Sequence, residues 1–311
     1  MTDEQLAFYR ENGYVLIKGL FTREEAAEGR ARLHELSRRL YEETMTGADP
    51  TWGSARKHAG GQGTVLQHTH DVQFHDAWFS RMITDPRFTS VAQAIIGPNV
   101  QLHHTKMFIK PPEKGSPFPM HQDAPFFPHE NHSMIAAIVH FDDAPLEKGC
   151  VRVVPGSYKL GLMPHSPDGG WHLDPEAFPV EDATPCPAEA GDVLFFSYLT
   201  IHGSGINVSD DYRTTVLVQM RDPLDPPSIR THESRGQGMM LAGCDPSCGT
   251  TKPISDDYAD NPIFKLIGQA GCAEIGMGGM APSMGAAPSM GSAPTMGGAP
   301  TMGGDNQGGT M

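Results

Sequence analysis

Cysteine is scarce in this chain and odd in number: Cys150, Cys186, Cys244, Cys248 and Cys272 are too few and too scattered for a disulfide framework. Cys244 and Cys248 lack the second pair that a zinc site needs. Basic residues are also in short supply, with 23 Lys and Arg against 37 Asp and Glu and a formal net charge of −14. That balance argues against nucleic acid or an anionic membrane as a partner, and against a large polyanionic substrate. No apolar run approaches the roughly 18 residues that a membrane span requires. Asp3, Glu4, Arg10 and Glu11 fall where a signal peptide keeps its apolar core. The expected setting is the cytoplasm, with free thiols and a small-molecule substrate.

What is present is a chain of 311 residues, 38% hydrophobic and 19% charged, enough for one large globular domain. Thr2 with Gln5 and Thr22 with Glu25 are capping-box pairs, opening a short helix that stops at Asn12-Gly13 and a longer one to about Glu43. Leu6, Phe8 and Tyr9 mark the inner side of the first. Phe88 to Ile96 reads as a third helix, closed by Gly97-Pro98. From Val100 onward short strands dominate: Val100 to Ile109, a strand near His121, Ile135 to Phe141, Val151 to Val154, Val193 to Phe196 and Thr214 to Met220. Many short strands between Gly and Pro turns predict a mainly β fold with flanking helices, a sandwich or jelly roll. Residues 47–64 read as a loop, and 157–190, rich in proline, as an insertion in which Trp171 and His172 are candidates for substrate contact. The domain is expected to span 1–275. From 276 to 311, Ala-Pro-Ser/Thr-Met-Gly units return every six residues, at Met284, Met290, Met296 and Met302, and predict a disordered tail.

The chemistry concentrates in Met120–Phe127 and Ile201–Arg213. His121 and Asp123 are two apart, so on an extended strand both would leave one face and could close on one ion, with His202 as a third ligand. Two imidazoles and a carboxylate on one face of an octahedron leave three positions open, the pattern of non-haem Fe(II) oxygenases. His140 with Asp142 and His172 with Asp174 share the spacing, but only His121 is followed by a Gly191-Asp192 strand opening, His202-Gly203-Ser204-Gly205, and an arginine entering a strand. Arg213 could hold the far carboxylate of a dicarboxylate. If it points inward, Thr215, Leu217, Gln219 and Arg221 share its face. His68 and His70 form a further imidazole pair, expected to line the pocket or lie on the surface.

Glu11-Asn12-Gly13-Tyr14-Val15, Lys110-Pro111-Pro112, His121-Gln122-Asp123 with Phe127-Pro128, Gly149-Cys150, Val154-Pro155-Gly156-Ser157, Gly191-Asp192, His202-Gly203-Ser204-Gly205 and Arg213 together make the chain resemble the phytanoyl-CoA dioxygenase family, over most of 4–222. The resemblance implies a double-stranded β-helix (jelly roll, cupin-like) with N-terminal helices, and Fe(II), 2-oxoglutarate and O2 as the reacting set. It implies His121, Asp123 and His202 as iron ligands and Arg213 with Ser204 on 2-oxoglutarate. It also implies a co-substrate contact near Lys106, although the residue type differs from the family's, and the family's aromatic residue near Val139 is missing. Halogenating relatives lack the carboxylate, so Asp123 implies hydroxylation with release of succinate and CO2. The competing reading is a jelly-roll metal-binding module without turnover, which would have no need of Arg213 and Ser204.

Overall fold

The computed structural model describes residues 1–44, 67–112, 117–165, 172–229 and 234–247. The loop expected at 47–64, Trp171, Cys248, Cys272 and the repeat tail lie outside the described residues. Among the described residues no helix is long and apolar enough to cross a membrane.

Thr2 and Gln5 exchange the two hydrogen bonds of a capping box at the head of α1 (Asp3–Asn12), and Gly13 closes it in the left-handed region. None of α1 is buried, and Phe8, expected on its inner side, is exposed and meets Tyr14 edge-on. Thr22 and Glu25 repeat the reciprocal pairing at α2 (Arg23–Thr44). Asp76 and Asp85 cap α3 (Ala77–Ile83) and α4 (Pro86–Ile96). The seven-residue α3 is too short to show a helical period in the sequence.

The strands are β1 (Tyr14–Ile17), β2 (Gln67–His70), β3 (Val100–Lys110), β4 (Phe118–His121), β5 (Ile135–His140), β6 (Val151–Val153), β7 (Thr184–Cys186), β8 (Val193–Ser197), β9 (His202–Ser204), β10 (Arg213–Arg221) and β11 (Met240–Ala242). They form a seven-stranded sheet in the order β1-β8-β5-β10-β3-β11, with β2 also on β3, and a four-stranded sheet, β4-β9-β6-β7. Every named pairing is antiparallel. This is the jelly roll that the strand pattern predicts.

Alternation along the large sheet divides the interior in two. Ile135, Ala137, Val139, Val193, Phe195, Val216, Val218 and Met220 pack outward with helical residues such as Leu33, Phe79 and Phe88. Ala136, Leu194 and Phe196 point the other way, against Val151, Val153 and Cys186 of the small sheet. The helices therefore brace one face of the large sheet and leave the space between the sheets to the remaining side chains. The proline-rich insertion, where no strand pattern shows in the sequence, holds the strand β7. Its Pro185 is tolerated because β7 lies at the edge of the small sheet.

Candidate metal centre

β4 ends at His121, so the expected extended His-x-Asp is only half formed. Asp123 sits past the strand in the helical region, opening a short turn, with its N–H and that of Ala124 both donated to the Tyr198 carbonyl. The turn, not strand alternation, brings its carboxylate round. His202 opens β9 and is the register partner of His121 across β4–β9. Gln122, fully buried between the two ligands, donates to the carbonyls of Gly161 and Leu199 and accepts from the Met163 N–H, tying two loops to the site.

One ligand atom from each of His121, Asp123 and His202 lies within 4.8 Å of the others. His121 Nδ1 faces the Pro119 carbonyl at 2.8 Å and His202 Nδ1 faces the Thr200 carbonyl at 3.0 Å. A carbonyl only accepts, so Nδ1 carries the proton in both rings and each Nε2 presents a bare lone pair. Both Nε2 atoms are 3.7 Å from Asp123 Oδ1. Burial, with the His202 ring beside it, pushes His121 down to about 3, and burial pushes His202 down to about 4. With the rings neutral these contacts are not ion pairs. With Asp123 ionised, three acceptors face one another, an arrangement that a cation satisfies, and two imidazole nitrogens with one carboxylate oxygen suit Fe(II). Burial raises the Asp123 carboxyl, opposed by His121 and by the Gln219 amide.

A second group of buried polar side chains shares the interior. Arg213 begins β10 opposite Lys110, the end of β3, and two cations meet across one ladder. Lys110 donates to Ser204 Oγ at 2.9 Å and to the Gly205 carbonyl at 2.6 Å, and Arg213 Nη1 donates to the Gly149 carbonyl. Arg213 Nε is buried without a partner, and the buried His140 ring makes no hydrogen bond of good geometry, with only the main chain of Asp192 and Ile138 close to its nitrogens. Burial, reinforced by Arg213, holds Lys110 well below its usual range and His140 down at about 4, and burial brings Arg213 to about 10. Among the described residues no carboxylate pairs with Arg213 or Lys110. A nest of this kind calls for an anion.

Gly149 shapes the nest. Its φ is +64°, and a Cβ there would meet the Gly205 carbonyl oxygen at 2.4 Å, so only glycine lets the two loops touch. Lys106 lies on the interior side of β3, half-buried, with its ammonium 4.9 Å from the Phe108 ring centre, opposite Leu217 and His70. Its charge helps lower Asp123. His68 and His70, half-buried, lie on β2, a strand that the sequence reading left out. His172 is fully buried and donates from Nδ1 to the Leu173 carbonyl. Gln219 reaches Asp123 Oδ2 at 2.6 Å, and Arg221, further along the same face, hydrogen-bonds to the carbonyls of Asp222, Pro223 and Asp225. Lys110 and His140 went unassigned, and Gln219, which alternation placed on the face of Arg213, was not expected at the metal carboxylate, because these neighbours depend on cross-strand register.

A family model described as phytanoyl-CoA dioxygenase (PhyH) matches residues 9–215. The peroxisomal phytanoyl-CoA dioxygenase of Rattus norvegicus is 30% identical over 227 residues, covering 68% of this chain and 66% of the rat protein, so the chain spans about two thirds of that relative's length. A probable alpha-ketoglutarate-dependent hypophosphite dioxygenase of Stutzerimonas stutzeri is 24% identical over 70% of this chain and 78% of its own. Among solved structures, the epimerase SnoN in complex with Fe3+, alpha ketoglutarate and nogalamycin RO superimposes with a TM-score of 0.59 at 26% identity, covering 78% of this chain and 96% of that one.

Proposed function

This chain belongs to the phytanoyl-CoA dioxygenase family, and from that premise we propose that it is an Fe(II)- and 2-oxoglutarate-dependent dioxygenase that hydroxylates a C–H bond of a small organic molecule and releases succinate and CO2. The observation that carries the reading is the buried Arg213–Lys110–His140 nest, without a counter-charge among the described residues, in the same interior as three converging metal-ligand atoms. A bare metal site has no use for such a nest.

His121 Nε2, Asp123 Oδ1 and His202 Nε2 would hold the iron. When bound, the metal supplies oxygen activation coupled to oxidative decarboxylation of the keto acid. Ser204 follows His202 by two residues on β9, so its hydroxyl leaves the same face about 6.6 Å further on. That spacing is comparable with the length of a five-carbon diacid. Arg213 holds the far carboxylate and keeps the pocket positive, while Lys110 orients Ser204. His140 Nδ1 or Nε2 can donate to the same carboxylate. Lys106, beside the metal carboxylate, contacts the co-substrate or substrate nearer the reacting end. Burial of every one of these groups except Lys106 excludes water.

The relatives' names run from a CoA thioester to hypophosphite, and the net charge of −14 favours a substrate smaller and less anionic than acyl-CoA. Free thiols at Cys150, Cys186 and Cys244 suit the reducing cytoplasm. Succinate release with Fe(II) and 2-oxoglutarate across a panel of small acids, amines and metabolites tests the reading, with one atom of 18O2 expected in the organic product. Absence of any 2-oxoglutarate turnover, coupled or uncoupled, supports a non-catalytic module. Turnover that leaves no oxygen in the product overturns hydroxylation and leaves the oxygenase family.

A further inference from the structure

We propose that Gln219 is a positioning residue that restricts Asp123 to binding the metal through one oxygen. The proposal rests on the metal-centre reading above. The two oxygens of Asp123 are not equivalent. Oδ1 lies 3.7 Å from Nε2 of both metal histidines, whereas Oδ2 accepts a hydrogen bond from Gln219 Nε2 at 2.6 Å. A carboxylate with both oxygens available can take two coordination positions on an ion of this kind. A three-ligand centre serves an oxygenase only if three positions stay open. Engaging Oδ2 with an N–H donor fixes the carboxylate plane and turns Oδ1 alone toward the ion.

The backbone gives Gln219 this aim. It lies near the end of β10 between His104 on β3 and Ala136 on β5, and the ladder to β3 slips by one residue between Gln219 and Met220. A bulge of this kind re-aims the side chain beside it. Gln219 is fully buried. Its amide cannot be reversed, because Oε1 against Oδ2 would set acceptor against acceptor. The consequence is that Oε1 is itself buried without a partner. A buried orphan acceptor destabilises a fold, and a leucine of similar size would avoid it. The amide therefore answers to the carboxylate and not to packing.

The test uses the full chain, freed of metal, with Co(II) as the probe, and reads binding affinity together with the visible ligand-field spectrum, which changes with coordination number. Gln219→Leu should bind Co(II) roughly 10- to 100-fold more weakly, show an altered spectrum with and without 2-oxoglutarate, and melt, as the metal-free protein, no lower than the wild type. Gln219→His, which keeps an N–H donor, should recover the wild-type spectrum. Gln219→Met keeps the length but loses the donor, and should behave as the leucine variant does. It carries the comparison with Gln219→His if the leucine variant does not fold. Variants lacking the donor that bind Co(II) within about twofold of wild type, well short of a second-layer effect, and with its spectrum, would overturn the proposal. A wild-type chain that takes up no Co(II) would overturn the metal-centre reading and this inference with it.

Discussion

Arg213 is buried beside a second cation and donates to a main-chain carbonyl with one edge of its guanidinium, leaving Nε without a partner. Removing one member of a buried charge pair costs on the order of 2–5 kcal/mol. Arg213→Ala should therefore weaken 2-oxoglutarate binding by a factor between about ten and a few thousand, read as the KM for 2-oxoglutarate or by anaerobic titration, while Co(II) uptake is retained. His140→Phe, which fills the same space without a donor, should raise that KM by a smaller factor, because it removes a neutral hydrogen bond and not a charge. Local spacing singled out His121, Asp123, His202 and Arg213 as candidates for this site, and the family resemblance added Ser204. Lys110 and His140 were given no role, and Gln219 was placed only on the face of Arg213, because the cross-strand register that sets their neighbours is not marked in the sequence.

At the level of elements, the site hangs on β9, three residues long and paired on both sides. Gly203, between His202 and Ser204, has no room for a side chain: a Cβ would meet Met120 Sδ at 2.7 Å and the Phe118 carbonyl oxygen at 2.7 Å. Met120 could bend away, but the backbone oxygen cannot. Gly203→Ala should force β4 and β9 apart, lowering both the melting temperature and Co(II) affinity. A variant with wild-type affinity would show that the two strands are less tightly registered than described. The longer elements could be read from period and caps. β7 was hidden by Pro185, and β2 by a four-residue length and two histidines, since short polar edge strands carry no alternation to detect.

For the molecule as a whole, His121 at about 3 and His140 and His202 at about 4 all lie below the ordinary 6.5, chiefly because they are buried. Between pH 6.5 and about 4 the unfolded chain binds protons that the folded one refuses, so the metal-free protein should lose stability as pH falls through that window. Asp123, raised by burial, works in the opposite sense. Thermal melts of the metal-free chain from pH 7.5 to 5 should show a falling midpoint, and a flat profile would mean that these imidazoles are already solvated. Bound metal adds a separate contribution. At about one hundred times its Kd an ion that binds only the native state adds about 2.7 kcal/mol, so a chelator should lower the midpoint and abolish succinate formation together. At this scale turn spacing pointed to a sandwich or a jelly roll and the family resemblance chose the jelly roll, whereas the location of the helices on one face of one sheet follows from packing.

An anaerobic crystal structure of the full chain grown with Fe(II) and 2-oxoglutarate tests the account most directly. It should show a single ion held by Nε2 of His121, Nε2 of His202 and Oδ1 of Asp123, with the far carboxylate of the keto acid against Arg213. An ion held by other residues, or a keto acid whose carboxylate lies away from Arg213, would contradict it.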